Sequence, residues 1–335
     1  MHKLSDRIFF KGGMAMEQPR ILFMGTPAFA VAMLEALLSM SYTVVGVVTQ
    51  PDRFVGRKRM LTPTPVKIAA TEAGIPVLQP HKIRDPQALS DIAALAPQLI
   101  VTAAYGQILP VSLLGMMPLG AYNVHASLLP KYRGGAPIQR AIMNGEQETG
   151  VTIMTMVKAM DAGAMWAKAV VPILPDMTYG QLHDELARQG ALLLKDTLPK
   201  ILDGSICAKE QDPEQATFAP TISRSDELLD FTQTATQVYD HIRALNPQPG
   251  AFTYLGDKLL KIWYATPSLD WKGNGTPGQI VDVTAQGPVI ACKTGAIVAT
   301  QVQLEGKAVQ TGAEFVRGKR DLTTLFCGHL QEGSK

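Results

Sequence analysis

The sequence predicts an α/β protein: a mainly parallel sheet with helices on both faces, followed by a smaller β-rich unit. Three observations predict it. Apolar runs of strand length alternate with helical stretches between residues 20 and 202, the pattern of a parallel sheet covered by helices. After residue 222 the pattern changes to short strands separated by turn residues, which suits a small barrel or sandwich. The chain has 335 residues, 46% hydrophobic and 18% charged, enough for about two domains with packed cores.

The elements follow in order. ILFMG (21–25) reads as a strand, PAFAVAMLEALLSM (27–40) as a helix and YTVVGVVTQ (42–50) as a second strand. Residues 65–73 are helical, IPVLQP (75–80) is a short strand, and 86–95 are again helical. LIVTAA (99–104) and AYNVHAS (121–127) are further strands, as are VTIMTM (151–156) and AKAVVPIL (167–174), with the turn MDAGAM (160–165) between the last two. Residues 179–202 form a long amphipathic helix, with Leu182, Leu186, Leu193 and Leu194 near helical spacing. The stretch 203–221 is polar and aperiodic, a linker. A helix at 234–245 ends at Asn246-Pro247. Five strands follow: AFTYL (251–255), LLKIWYA (259–265), GQIVDV (278–283), VIACK (289–293) and AIVATQVQLE (296–305), then a helical stretch at 313–325.

Composition excludes some classes. No run approaches the roughly 18 consecutive apolar residues of a membrane span. Cys207, Cys292 and Cys327 lie far apart without a CxxC pair, which argues against a disulfide framework and for a reducing, cytoplasmic compartment. There is no HxxxH, HExxH or Cys/His cluster, so no metal is expected. Residues 1–16 are basic, but their apolar run at 8–10 is shorter than a signal-peptide core of about 7–15 residues. They read as an upstream start or a disordered leader, with targeting as the alternative. The net charge of +2 alone argues against a strong nucleic-acid binder. It is unevenly spread: residues 1–204 carry +4, 205–222 carry −2 and 223–335 are neutral.

Four segments could carry chemistry. MGTPAFA (24–30) joins the first strand to the first helix, where a glycine and free helix N–H groups can meet a ligand. It lacks the further glycines of a dinucleotide fingerprint, so a plain tight turn is the competing reading. PDRFVGRKRMLTPTP (51–65) is a long loop with Arg53, Arg57, Lys58 and Arg59 within seven positions. It suits phosphate or nucleic-acid contact, or is only a solvated basic loop. Asn123 and His125, two apart at a strand end, project from one face. An amide there can hold an oxyanion and an imidazole can move protons, although a strand-end histidine can equally be structural. Asp161, in MDAG, is an ordinary turn carboxylate unless it faces His125, which sequence spacing cannot decide.

Together these segments resemble the methionyl-tRNA formyltransferase family, from residue 20 onward. The resemblance rests on MGTPAFA, TQPDRFVGRKRMLTPTPVK, AAYGQILP, NVHASLLPKYRGGAPIQRAI, ETGVTIM and MDAGAM. It implies a Rossmann-like catalytic domain (20–204) after an extension (1–19), a linker (205–222), and an OB-like tRNA-binding domain (223–335). It implies transfer of the formyl group of 10-formyltetrahydrofolate to the α-amino group of methionyl initiator tRNA, by a cytoplasmic, monomeric enzyme without membrane or metal. By motif match Asn123, His125 and Asp161 take the catalytic places. Ser127, Leu128, Leu129 and Pro130, with Tyr105, Gly106 and Ile108, take the folate contacts, and Arg53, Arg57, Lys58 and Arg59 those to tRNA. Two positions depart from the family pattern: Ala126 stands where glycine is expected, and Asp161-Ala162-Gly163-Ala164 where Asp-Thr-Gly-Asp is expected. Competing readings are a formyltransferase for a small amine, such as glycinamide ribonucleotide or an amino sugar nucleotide, and a non-catalytic RNA-binding protein.

Overall fold

The computed structural model describes residues 18–40, 42–56, 59–317 and 322–328; the expectations for residues 1–16 lie outside them. In chain order the first part comprises β1 (Arg20–Gly25), α1 (Ala28–Ser39), β2 (Thr43–Val48), β3 (Arg53–Val55), β4 (Met60–Thr62), α2 (Pro65–Glu72), β5 (Val77–Leu78), α3 (Pro86–Ala94), β6 (Leu99–Ala103), α4 (Val111–Gly115), β7 (Ala121–His125), α5 (Pro137–Met143), β8 (Glu148–Thr155), β9 (Met165–Pro172) and α6 (Tyr179–Leu202). Seven strands form one sheet in the order β5-β2-β1-β6-β7-β8-β9. The first five are parallel, and β8 and β9 return antiparallel.

Strand β1 shows why the sheet is covered on both sides. Ile21 and Phe23 enter a core with Met33 and Leu37 of α1 and Leu182 and Leu186 of α6. Leu22 and Met24 enter a second core with Ile92 of α3 and Leu113 of α4. Alternate side chains of a strand point to opposite faces, so a continuously apolar strand needs apolar layers on both. Helix α6 begins at a capping box: Gln181 N–H donates to Thr178 Oγ1 and Thr178 N–H to Gln181 Oε1, satisfying two otherwise free donors. The chain leaves β1 toward β2 on one side of the sheet, while β6 and β7 lie on the other. Their carboxyl ends open a crevice there, the usual ligand position in such sheets.

The second part comprises α7 (Ala235–Ala244), β10 (Phe252–Leu255), β11 (Lys258–Ser268), β12 (Ile280–Thr284), β13 (Gly287–Ala291), β14 (Ala296–Leu304), β15 (Gln310–Thr311), α8 (Gly312–Val316) and β16 (Cys327–Gly328). Its antiparallel sheet runs β12-β13-β14-β11-β10-β16, with β15 on β14. It curls until the segment at 325–328 meets both edges: β16 pairs with β10, and Phe326 bridges Gln279 beside β12. Val238, Ile242 and Leu245 of the α7 region fill the interior with Leu260, Ile290 and Ile297. Cys292 and Cys327 are buried, Cys207 is exposed, and all three are free thiols. Among the described residues no helix is long and apolar enough to cross a membrane.

Three expectations change. The helical stretch expected at 313–325 is α8 alone; Arg317 is extended, 322–324 form a 3-10 turn, and 327–328 join the sheet. Strand pairing with β10 and burial of Leu322 outweigh local helix propensity. The basic loop carries a hairpin, with Arg53 opposite Thr62 and Phe54 opposite Leu61; Arg57 and Lys58 lie outside the described residues. The polar linker is bound along its length. Lys209 and Met165 exchange both backbone hydrogen bonds, Arg133 N–H donates to Thr217 O, and Ala219 N–H donates to Arg133 O. Backbone donors and acceptors near a strand edge take such partners, which periodicity does not reveal.

Candidate active site

A cavity of about 570 Å³ opens at the carboxyl ends of β1, β6 and β7. Its wall includes Pro27 and Phe29 after β1, Ala104–Leu109 after β6, Asn123 and His125 on β7, and Val157, Lys158, Met160 and Asp161 after β8. Asn123, His125 and Asp161 thus face one space.

Each is fixed by a neighbour. Thr102, register partner of Asn123 across β6 and β7, donates its hydroxyl to Asn123 Oδ1 at 2.8 Å. The amide oxygen is therefore occupied, and the NH2 is the end available to donate into the cavity. His125 is 6% exposed. Its Nε2 lies 3.0 Å from Tyr132 O. A carbonyl only accepts, so Nε2 carries the proton in the neutral ring and Nδ1 keeps a lone pair. Asp161 Oδ2 stands 3.8 Å from that Nδ1 and accepts from Gly134 N–H at 2.8 Å. The pair lies within ion-pair reach but beyond hydrogen-bond length.

Both turns are conformationally demanding. Tyr132 and Asp161 have φ of +61° and +49°, a region disfavoured by a Cβ. Tyr132 is held by its N–H to Thr217 Oγ1 at 2.9 Å and by its hydroxyl to Glu146 at 2.8 Å. Burial pushes that hydroxyl up to about 12. A Cβ on Gly163 would collide with Thr155 O, so only glycine passes there.

Tyr105, Gly106 and Ile108 lie on the wall. The Tyr105 side chain is buried, its hydroxyl has no hydrogen-bond partner among the described residues, and burial pushes it up to about 12. Ser127, Leu128, Leu129 and Pro130 are not on the wall. Ser127 is buried with its hydroxyl on Lys131 O, and Leu129 packs between Met154 and Met165. Ala126 does reach the wall. The hairpin root is tied to the cavity lip: Gln50 Nε2 donates to Tyr105 O at 3.1 Å, and Gln79 Nε2 to Asp52 at 2.7 Å. Bonds from Gln79 and Lys67 hold the Asp52 carboxyl below its ordinary value. Beyond that root Arg53 and Arg59 are exposed. Arg59 lies 5.7 Å from the Phe54 ring, and Phe54, Met60 and Leu61 are exposed too.

Sequence reasoning missed Thr102, Gly134 and Gln211. Thr102 was legible in principle, because strands at 99–104 and 121–127 in register place it beside Asn123. Gln211 sits in a polar stretch with no local signal. Among the described residues no group of three or more His, Cys, Asp or Glu side chains could hold a metal.

The Formyl transferase family matches residues 19–198, and the Formyl transferase C-terminal domain matches residues 221–320. The methionyl-tRNA formyltransferase of Bacillus licheniformis is 48% identical over 93% of this chain and 99% of its own length. That of Bacillus subtilis is 49% identical over 89% and 94%, and that of Listeria welshimeri 51% over 89% and 95%. Among solved structures, HypX from Aquifex aeolicus in complex with tetrahydrofolic acid superimposes with a TM-score of 0.62 at 18% identity, over 93% of this chain and 51% of that one. This chain therefore spans about half the length of HypX. The Helicobacter canadensis N-formyltransferase, in complex with folinic acid and dTDP-3-aminofucose, gives 0.61 at 18% identity, over 84% and 99%. At that identity the two structures speak for the fold.

Proposed function

Because the chain belongs to the methionyl-tRNA formyltransferase family, we propose that Asn123, His125 and Asp161 carry its reaction. That reaction transfers the formyl group of 10-formyltetrahydrofolate to the α-amino group of methionyl initiator tRNA, a step of protein biosynthesis at translation initiation. The observation that carries the assignment is the convergence of an amide donor, an imidazole lone pair and a carboxylate on one cavity wall.

The donor supplies an activated formyl carbon bound to nitrogen. A neutral amine must attack it, and α-amino groups titrate near about 8, so modest base assistance is enough. His125 Nδ1 takes the proton lost by the amine, and the Asp161 carboxylate stabilises the imidazolium that results. The Asn123 NH2 donates to the formyl oxygen as it gains negative charge, an effect worth about 3–4 kcal/mol in comparable sites. When the bond from the formyl carbon to the donor nitrogen breaks, His125 returns its proton to that nitrogen. The amine loses one proton and the donor nitrogen gains one, so no metal or redox partner is called for.

The cavity fits the folate in one respect that can be checked. Tyr105, Gly106 and Ile108 line the cavity wall, and these three contact the pterin. Ser127, Leu128, Leu129 and Pro130 act from behind, by fixing the turn that follows His125. Arg53, Arg57, Lys58 and Arg59 contact tRNA phosphates, and the exposed Phe54 beside Arg59 suits base stacking. The division of labour is a catalytic part at 20–204, a strap at 205–222, and a β-rich part at 223–335 that contacts the tRNA backbone. The enzyme acts in the cytoplasm as a monomer. The test is an acceptor comparison with formyl donor present. Formylation of charged initiator tRNA, and not of glycinamide ribonucleotide or an amino sugar nucleotide, is expected; the reverse would overturn the reading.

A further inference from the structure

We infer that Gln211, in the strap between the two parts of the chain, is a positioning residue that holds Asp161 against His125. The inference rests on the reading of Asp161 as part of the active site. Arg133 donates from Nε and Nη2 to Gln211 Oε1, at 3.0 and 2.7 Å. That double contact fixes which end of the Gln211 amide is oxygen. The other end, Nε2, donates to Asp161 O at 2.7 Å and to Gly163 O at 2.8 Å. Arg133 and Gln211 are 9% and 8% exposed, so water competes little for these bonds.

The placement matters because both turns that build the site end on this one side chain. Arg133 follows Tyr132, whose carbonyl accepts the hydrogen bond from His125 Nε2–H, and precedes Gly134, whose N–H holds the Asp161 carboxylate. Gln211 therefore clamps the turn that orients His125 to the turn that carries Asp161. The Asp161 turn needs such a clamp: its φ of +49° is disfavoured for a residue with a Cβ, and among the described residues its side chain accepts a hydrogen bond only from Gly134 N–H. The strap is anchored on either side of Gln211, by Lys209 on Met165 and by Thr217 and Ala219 on Tyr132 and Arg133. The clamp is thus fixed at both flanks.

Two variants separate positioning from support. Gln211→Glu still accepts from Arg133 but has no donor for the two carbonyls. Gln211→Met removes both roles, and Gln211→Glu keeps Arg133 partnered should Gln211→Met not fold. The expected result for Gln211→Glu is a fall in kcat of about 10- to 100-fold, the scale set by roughly 1 Å of misplacement. KM values for formyl donor and tRNA should stay within about threefold. Placed in an Asp161→Ala background, the same substitution should lower kcat no further. Wild-type kcat in Gln211→Glu, or losses that multiply in the double variant, would overturn the inference. An Asp161→Ala enzyme with undiminished kcat would instead overturn the reading of the site beneath it.

Discussion

Thr102 Oγ1 donates to Asn123 Oδ1 at 2.8 Å across two paired strands, and this bond leaves the NH2 end of the amide for the cavity. Without the hydroxyl the amide can rotate and offer its oxygen, which repels a developing oxyanion. Thr102→Val keeps the shape and removes the bond. Its kcat should fall about 10-fold, less than the 100- to 1,000-fold expected when the donor itself is deleted in Asn123→Ala. Steady-state kinetics at saturating donor checks it, and a Thr102→Val enzyme at full kcat would show that Asn123 is oriented by something else.

The Tyr105 hydroxyl gives a prediction with two opposite signs. Buried without a hydrogen-bond partner among the described residues, it costs folding free energy. Tyr105→Phe should raise the stability of the ligand-free protein by about 1 kcal/mol. The same change should raise KM for the formyl donor several-fold. Denaturant unfolding and donor titration measure the two. A destabilised variant with unchanged KM contradicts the proposed folate contact.

Stability should fall on mild acidification, and His241 is the reason. Burial, the largest cause, holds its pKa below the ordinary 6.5, against the raising influence of the Asp226 carbonyl and carboxylate and of Asp230, while Arg140 lowers it further. Because the folded value is depressed, the unfolded chain takes up a proton first as pH drops through about 6.5. Stability is complete above that pH and is lost progressively until pH passes below the folded value. His241→Gln should flatten this slope between about pH 7.5 and 5.5 in urea unfolding. An undiminished slope would move its origin to other groups. Asp226, held low by Ser223 and Arg140, loses its contribution in the same direction only at pH below about 4.

The two kinds of tRNA contact proposed for the hairpin can be separated by salt. Arg59→Ala should weaken tRNA binding and make log K against log salt shallower by about 0.7–0.9 for each phosphate left unneutralised. Phe54→Ala should weaken binding at every salt concentration with the slope unchanged, because stacking releases no counterions. Anisotropy titrations over a salt series distinguish the two. Equal slopes in all three proteins would exclude a phosphate contact by Arg59.

Much of this architecture was legible in residue order. A strand as apolar as ILFMG has to be covered on both faces, and Ile21 and Leu22 do enter separate cores. Asn123 and His125 could be placed on one face by their spacing of two. Asp161 could not be joined to them, because 36 residues and two chain reversals separate it from His125. Gln211 was hidden more deeply, since its partners lie 50 and 78 residues away and nothing in a polar stretch marks one glutamine as buried. The expected helix at 313–325 failed for a related reason: pairing of 327–328 with β10 is a long-range contact that local propensity does not contain.

The proposed chemistry turns on the imidazole of His125, whose Nδ1 stands 3.8 Å from Asp161 Oδ2 and is assigned the proton of the reacting amine. The direct measurement is single-turnover formylation of charged initiator tRNA by His125→Ala, with tRNA affinity measured on the same preparation. A loss of about 100- to 10,000-fold in transfer rate, with tRNA affinity within about twofold of the parent, is the result expected. Transfer at the parental rate would contradict a role for His125 in moving the proton.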